Sequence, residues 1–157
     1  MARNTFATLL SRAWRYAERS GWEGLERTLN PNLEFDQVHI ISFNDERHYD
    51  TLDYGTLRVH PLPRLPNKLL RFPLLKSWRV AQFAKHIVER YDIPLLTYLY
   101  GNILENGIPT VLAAQWAGIP SLVSVINDYH QYFRTRPFYL RIDVLDDMLE
   151  RFVYHRA

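Results

Sequence analysis

Cysteine is absent from the chain, which excludes a disulfide framework, thiolate chemistry and Cys-bound zinc. Glycine is scarce as well. Only 6 occur, none in Gly-x-Gly-x-x-Gly or P-loop spacing, so a dinucleotide or ATP cradle is not expected. The six histidines (39, 48, 60, 86, 130 and 155) never stand at i, i+4 beside a glutamate, and no group has ligand spacing, so no metal site is expected. No apolar run approaches the roughly 18 residues of a membrane span, and the N-terminus has no apolar block of the signal-peptide kind. The expectation is a cytoplasmic chain. One more absence is local: residues 54–88 contain no Asp or Glu. That stretch carries Arg58, Arg64, Lys68, Arg71, Lys76, Arg79 and Lys85, 7 of the 19 Lys plus Arg, although the formal net charge is only +2. Such an asymmetry points either to an anionic partner or to a solvated face balanced by acids elsewhere in the fold.

What is present is enough for one ordinary domain spanning 1–157, with 47% hydrophobic and 23% charged residues. Residues 5–19 place Phe6, Leu9, Leu10, Ala13, Trp14 and Ala17 at helical spacing, and a second helix is expected over 22–29, separated at Gly21 and stopped by Asn30-Pro31-Asn32. Residues 38–43 (Val-His-Ile-Ile-Ser-Phe) read as a strand apolar on both faces. Residues 56–60 alternate, as a half-exposed strand near a sheet edge would. Asp50 and Asp53 fall in an expected polar, solvated loop. Past Pro61, Pro63, Pro66 and Pro73, an amphipathic helix is predicted from Leu74 to Tyr91. A strand over 94–99, a helix over 110–117 closed by Gly118, a third buried strand over 121–126 and a last helix over 139–154 complete the reading. Strands alternating with helices predict an α/β fold: a three-layer, Rossmann-like domain with a mainly parallel sheet. Ligands of such folds gather at the carboxyl ends of the strands.

Three segments carry a resemblance. They are residues 34–43, the run Ala113-Ala114-Gln115-Trp116-Ala117-Gly118-Ile119-Pro120, and the strand 121–126 closing on Asn127-Asp128-Tyr129. Together with the order of elements, they resemble the N-terminal, acceptor-side domain of family-4 glycosyltransferases, retaining enzymes of the GT-B fold. The resemblance runs from about residue 20 onward. It implies half of a GT-B fold, with the nucleotide-sugar held by a second domain or a second chain, and no cofactor of the chain's own. Against the family pattern, the first strand and its Gly-rich loop are expected to be missing, with residues 1–5 standing at the end of that loop. The donor domain is expected to be absent, and the isolated chain to be inactive. The absence of any Asp-x-Asp argues against the metal-dependent alternative among transferases.

Transfer to a hydroxyl acceptor would use polar groups at the strand ends. Asp128 and His130 are the candidates for catalysis, and Asn127, Asn44, Asp45, Asn102 and Tyr100 those for binding the acceptor. An amide binds a sugar hydroxyl without charge cost, a carboxylate accepts its proton, and an imidazole titrates near neutrality. Each has a plainer role beside it: turn chemistry for Asn127-Asp128, a loop cap for Asp45, a surface position for His130. The acceptor would be a glycan or a lipid-linked molecule. The basic stretch interleaves Lys68, Arg71, Lys76 and Arg79 with Leu74, Leu75 and Trp78, a composition suited to an anionic membrane surface. Core Leu and Trp with solvated Lys and Arg would explain it equally. The alternative function is then a non-catalytic Rossmann-like adaptor using this segment on membranes or an acidic partner. Nucleic acid is not expected as a partner, because no binding motif is recognisable.

Overall fold

The computed structural model of the chain describes residues 4–45, 49–63, 73–98, 106–123 and 156. Their elements are β1 (Thr5–Ser11), α1 (Ala13–Leu29), β2 (Gln37–Phe43), β3 (Leu52–Tyr54), β4 (Leu57–Pro61), α2 (Pro73–Tyr91), β5 (Leu96–Tyr98), α3 (Ile108–Ala117) and β6 (Ser121–Val123). The six strands form one sheet in the order β3-β4-β2-β1-β5-β6. All neighbours are parallel except the β3–β4 hairpin. The five parallel strands, counted along the chain, therefore lie in the order 3-2-1-4-5, which is the Rossmann-like order.

Side-chain alternation along the central strands sorts the core into two layers. On one face Ala7, Leu9, Ile41 and Phe43 pack with Val80, Ala84, Ile87 and Val88 of α2 and Ala113 and Ala114 of α3. On the other, Phe6, Leu10, Val38, Ile40, Leu57 and Val59 pack with Ala13, Leu25 and Leu29 of α1. Helices on both faces of a parallel sheet complete the three-layer α/β domain that the sequence predicts.

Five expectations are corrected. Residues 5–11 are a strand, not the start of a helix: β1 is the central strand, and the helix begins only at Ala13. Six of its seven residues are buried, so it shows no period-2 signal, and its apolar positions coincide with helical spacing. The strand expected to be missing at the N-terminus is thus present, between β2 and β5. Asp53 is not in a loop but in β3, where Arg58 Nε and Nη2 grip its carboxylate at 2.5 and 2.9 Å. β4 is not half-exposed: α1 covers Leu57 and Val59 on one face and Tyr91 of α2 covers His60 on the other. Finally, Ser121–Val123 is not a buried central strand. It pairs only with β5 among the described residues, and Leu122 is 53% exposed. The expected helix over 139–154 lies outside the described residues.

The punctuation residues act as their chemistry requires. Gly21 (φ 73°, ψ 162°) breaks α1 into the two pieces expected. Gly118 takes the left-handed conformation (φ 68°) after α3. Its N–H donates to Gln115 O and that of Ile119 to Ala114 O, a Schellman closure that turns the chain into β6. Gly55 (φ +54°) sits in the β3–β4 turn, where a Cβ would stand 2.3 Å from Glu26 Oε1. That same oxygen accepts both the N–H (2.5 Å) and the hydroxyl (2.8 Å) of Thr56, tying the hairpin to α1. Gly55→Ala should therefore lower the unfolding free energy by about 1–3 kcal/mol, combining a left-handed Ala with displacement of Glu26. A urea titration checks this, with Gly55→Asn, which tolerates the backbone but not the contact, separating the two causes.

Candidate functional site at the carboxyl rim of the sheet

In this strand order the connection reverses between β1 and β5, so the crevice beyond the carboxyl ends of β1, β2 and β5 is where a ligand would be sought. The β1–α1 turn is a single residue. Arg12 adopts φ 61°, ψ 54°, its N–H donates to Phe43 O at 2.8 Å, and its side chain is exposed. A second non-glycine residue with positive φ, Asn44 (64°), ends β2 beside it, and its Nδ2 donates to Ser11 Oγ at 3.2 Å. Two adjacent strand ends thus hold left-handed residues, each at some cost in backbone energy.

The first turn of α1 would ordinarily offer its free N–H groups to an anion. Here the protein supplies the anion itself. Trp14 N–H donates to Asp45 Oδ1 at 3.2 Å, and Ala13 N–H donates to Ser42 Oγ at 3.0 Å. The Ser42 hydroxyl in turn donates to Asp45 Oδ2, which also accepts from the Tyr49 hydroxyl at 2.5 Å. Burial, and then this bond to Asp45, push the Tyr49 phenol well above its ordinary range. The Tyr49 ring lies 5.1 Å from that of Trp14, which meets Trp22 edge-on at 5.9 Å. Asp45 is therefore bound by three donors and fixed as the cap of α1.

Chemically, the described rim presents an amide, hydroxyls and the Arg12 guanidinium, with no glycine-lined approach to a phosphate. Buried in the β1–β5 seam, where Thr8 faces Thr97, the Thr97 hydroxyl has no hydrogen-bond partner. Lys76, in the first turns of α2, places Nζ 5.8 Å from the Phe43 ring centroid. Trp78 is 49% exposed and meets Trp116 edge-on at 5.1 Å, and Arg79 is exposed. Among the described residues no three His, Asp or Glu side chains are grouped to hold a metal ion.

Of the residues singled out in the sequence, Asn44 and Asp45 come together at the rim, with Asp45 turned inward onto α1. Lys76, Trp78 and Arg79 lie on α2. Tyr100, Asn102, Asn127, Asp128, His130, Lys68 and Arg71 lie outside the described residues. Sequence reasoning missed Ser11, Arg12, Ser42 and Tyr49. Ser42 left a readable trace, a lone hydroxyl near the end of an apolar strand with an Asp three residues on. Arg12 left none, because its turn was hidden inside an apparent helix.

No protein-family model matches the sequence, and no curated protein matches it.

Replacing Asp45 with Asn should cost about 1–2 kcal/mol of stability, since the α1 N–H loses a carboxylate and two hydroxyls lose a charged acceptor. Ser42→Ala should cost at least as much, about 1–3 kcal/mol, because it leaves the buried Ala13 N–H without its acceptor although Trp14 and Tyr49 keep theirs. Urea midpoints of the two variants provide the comparison.

Proposed function

We propose that these residues form the acceptor-binding side of a retaining glycosyltransferase of the GT-B kind, similar to family 4. The reaction moves a sugar from a nucleotide-sugar to a hydroxyl of a glycan or lipid-linked acceptor. The nucleotide-sugar is held by a second domain or chain, and residues 1–157 alone do not turn over. The observation that carries this reading is the α1 N-terminus capped by Asp45. A Rossmann-like sheet whose first βα turn is filled by its own carboxylate is poorly made for a diphosphate. Its rim of Asn44, Ser11 and Arg12 is better suited to hydroxyl groups. The passage from α3 through Gly118-Ile119-Pro120 into β6 supports it as well. The reading leans on the ends of β1, β2 and β5 rather than on β6.

Calorimetry against UDP- and GDP-sugars should give no saturable heat with this chain at concentrations below about 1 mM, the weak end of specific binding. Titration with glycan and polyprenyl-linked acceptors should shift the amide resonances of residues 11–14 and 44–45. Micromolar binding of a nucleotide-sugar to the chain alone, or acceptor shifts that avoid this rim, would overturn the assignment.

A second reading, of a Rossmann-like adaptor or a peripheral attachment at the inner face of a membrane, is favoured by one observation. Leu74, Leu75 and Trp78 are 63%, 47% and 49% exposed at the start of α2, in the same turns as Lys76 and Arg79. No helix among the described residues is long and apolar enough to cross a membrane. Surface contact through this turn would pair apolar insertion with attraction to anionic headgroups. Co-sedimentation with phosphatidylserine vesicles should be salt-sensitive and fall by at least about fivefold for Arg79→Glu, since losing one basic residue costs roughly 1 kcal/mol and the new carboxylate adds repulsion. Binding indifferent to salt and to this change would remove the reading.

A further inference from the structure

The β2–β4 corner of the sheet, on its α2 face, holds two buried imidazoles that the proposed function does not use. His39 of β2 and His60 of β4 project from the α2 face and are 2% and 1% exposed. His39 Nδ1 and His60 Nε2 are 2.9 Å apart, with ring planes within 6° and centroids 5.2 Å apart. The rings therefore lie end to end in nearly one plane, and a single proton occupies the space between the two nitrogens: one ring donates and the other must accept. Tyr91, in the last turn of α2, covers both, its centroid 4.9 Å from each. Adding a proton to each ring would set two N–H groups against one another in a site closed to bulk solvent.

We propose that the His39–His60 pair under Tyr91 is an acid-released latch: uncharged, it joins β2, β4 and the end of α2, and protonation frees this corner before the rest of the sheet unfolds.

The charged surroundings favour the neutral state. Besides Tyr91, α2 brings Arg90, β4 brings Arg58, and β3 brings Asp53, which Arg58 already engages. Burial, then the Arg58 charge, lower His39 to about 4, with Asp53 opposing weakly. Burial, then His39, Arg58 and Arg90, lower His60 to about 3, again against Asp53. An opened imidazole titrates near 6.5. Above that pH neither the closed nor the open corner takes up protons, and closure is insensitive to pH. Below it the open form binds two protons that the closed form refuses, so closure weakens as pH falls towards the folded values. Between pH 7 and 5 the closed-to-open ratio should drop by about 25-fold per histidine. Asp53, lowered chiefly by its bond to Arg58, contributes only below the ordinary carboxylate range, outside this window. The opening is local because β3 is only three residues long, β4 has only that strand outside it, and Tyr91 ends its helix.

Amide exchange of the full chain, converted to protection factors between pH 7.5 and 5, tests the latch. Protection at Arg58, Val59, His60 and Tyr91 should fall by roughly several hundredfold more than at Ala7 and Leu9 of the central strand. The double variant His39→Leu, His60→Leu should abolish that difference. Acid loss shared equally by β1, or retained in the leucine variant, would overturn the proposal. Should the variant fail to fold, ring 15N shifts of the wild-type chain decide. Both imidazoles should stay neutral to pH 5 in the closed form, and a titration of either near 6.5 without loss of protection would refute the latch.

Discussion

The pairing of β1 with β2 is the interaction on which the rest of the domain rests. The two strands run parallel through seven residue pairs, from Thr5 opposite Gln37 to Ser11 opposite Phe43, and are buried along nearly their whole length. Each buried aliphatic or aromatic side chain of this pair contributes roughly 1.5–3 kcal/mol of transfer free energy. Because successive side chains alternate, the same two strands feed both core layers. A slip of β2 by one residue would send Ile41 and Phe43 to the α1 side and Val38 and Ile40 to the α2 side, so the register is strongly specified. It also brings the two strand ends to the same height, and that places Ser42 and Asp45 where α1 begins.

The rim follows from this alignment. With Ser11 level with Phe43, the chain turns from β1 into α1 in the single residue Arg12, and the first helical N–H groups face the β2 loop. The carboxylate that meets them belongs to the protein. A helix start that could receive a phosphate is instead met by the protein's own carboxylate. The same arrangement makes Asp45 a structural anion held by Trp14, Ser42 and Tyr49, so its oxygens are not available as a base.

The β2–β4 side of the sheet, on its α2 face, is organised by different polar chemistry. There the His39–His60 contact lies under Tyr91, with the Asp53–Arg58 pair beyond it at the hairpin. At the carboxyl rim one carboxylate, Asp45, is held by hydroxyls and a backbone N–H. Under Tyr91 the two imidazoles are buried and neutral, and neutrality is the condition for their closeness. The apolar start of α2, with Leu74 and Trp78 in water beside Lys76 and Arg79, is a third polar–apolar boundary, carried by the helix rather than the sheet.

Local chemistry was sufficient for much of this. The strand at 38–43, the helix ending at Tyr91, the break at Gly21 and the close of α3 at Gly118 are all written in short-range signals: β-branched runs, 3.6-residue spacing and glycine where φ must be positive. The α/β class follows from their alternation. Beyond the reach of the sequence were β1, whose two-sided burial erases any period, and the place of β6, since strand order depends on which hydrogen-bonding edges meet. The candidate site divides in the same way. Asn44 and Asp45 were visible as polar residues after a strand, but the capping of α1 by Asp45 needed residues about thirty positions apart to be brought together. His39 and His60 are 21 residues apart in the chain and have no spacing that signals contact. Only the parallel register of β2 with β4 puts both on one face, and only the packing of α2 seals them from water. Residue type set what each group could do, and tertiary contact chose which of those things it does, because hydrogen bonding and desolvation act over a few ångströms of space, whatever the distance along the chain.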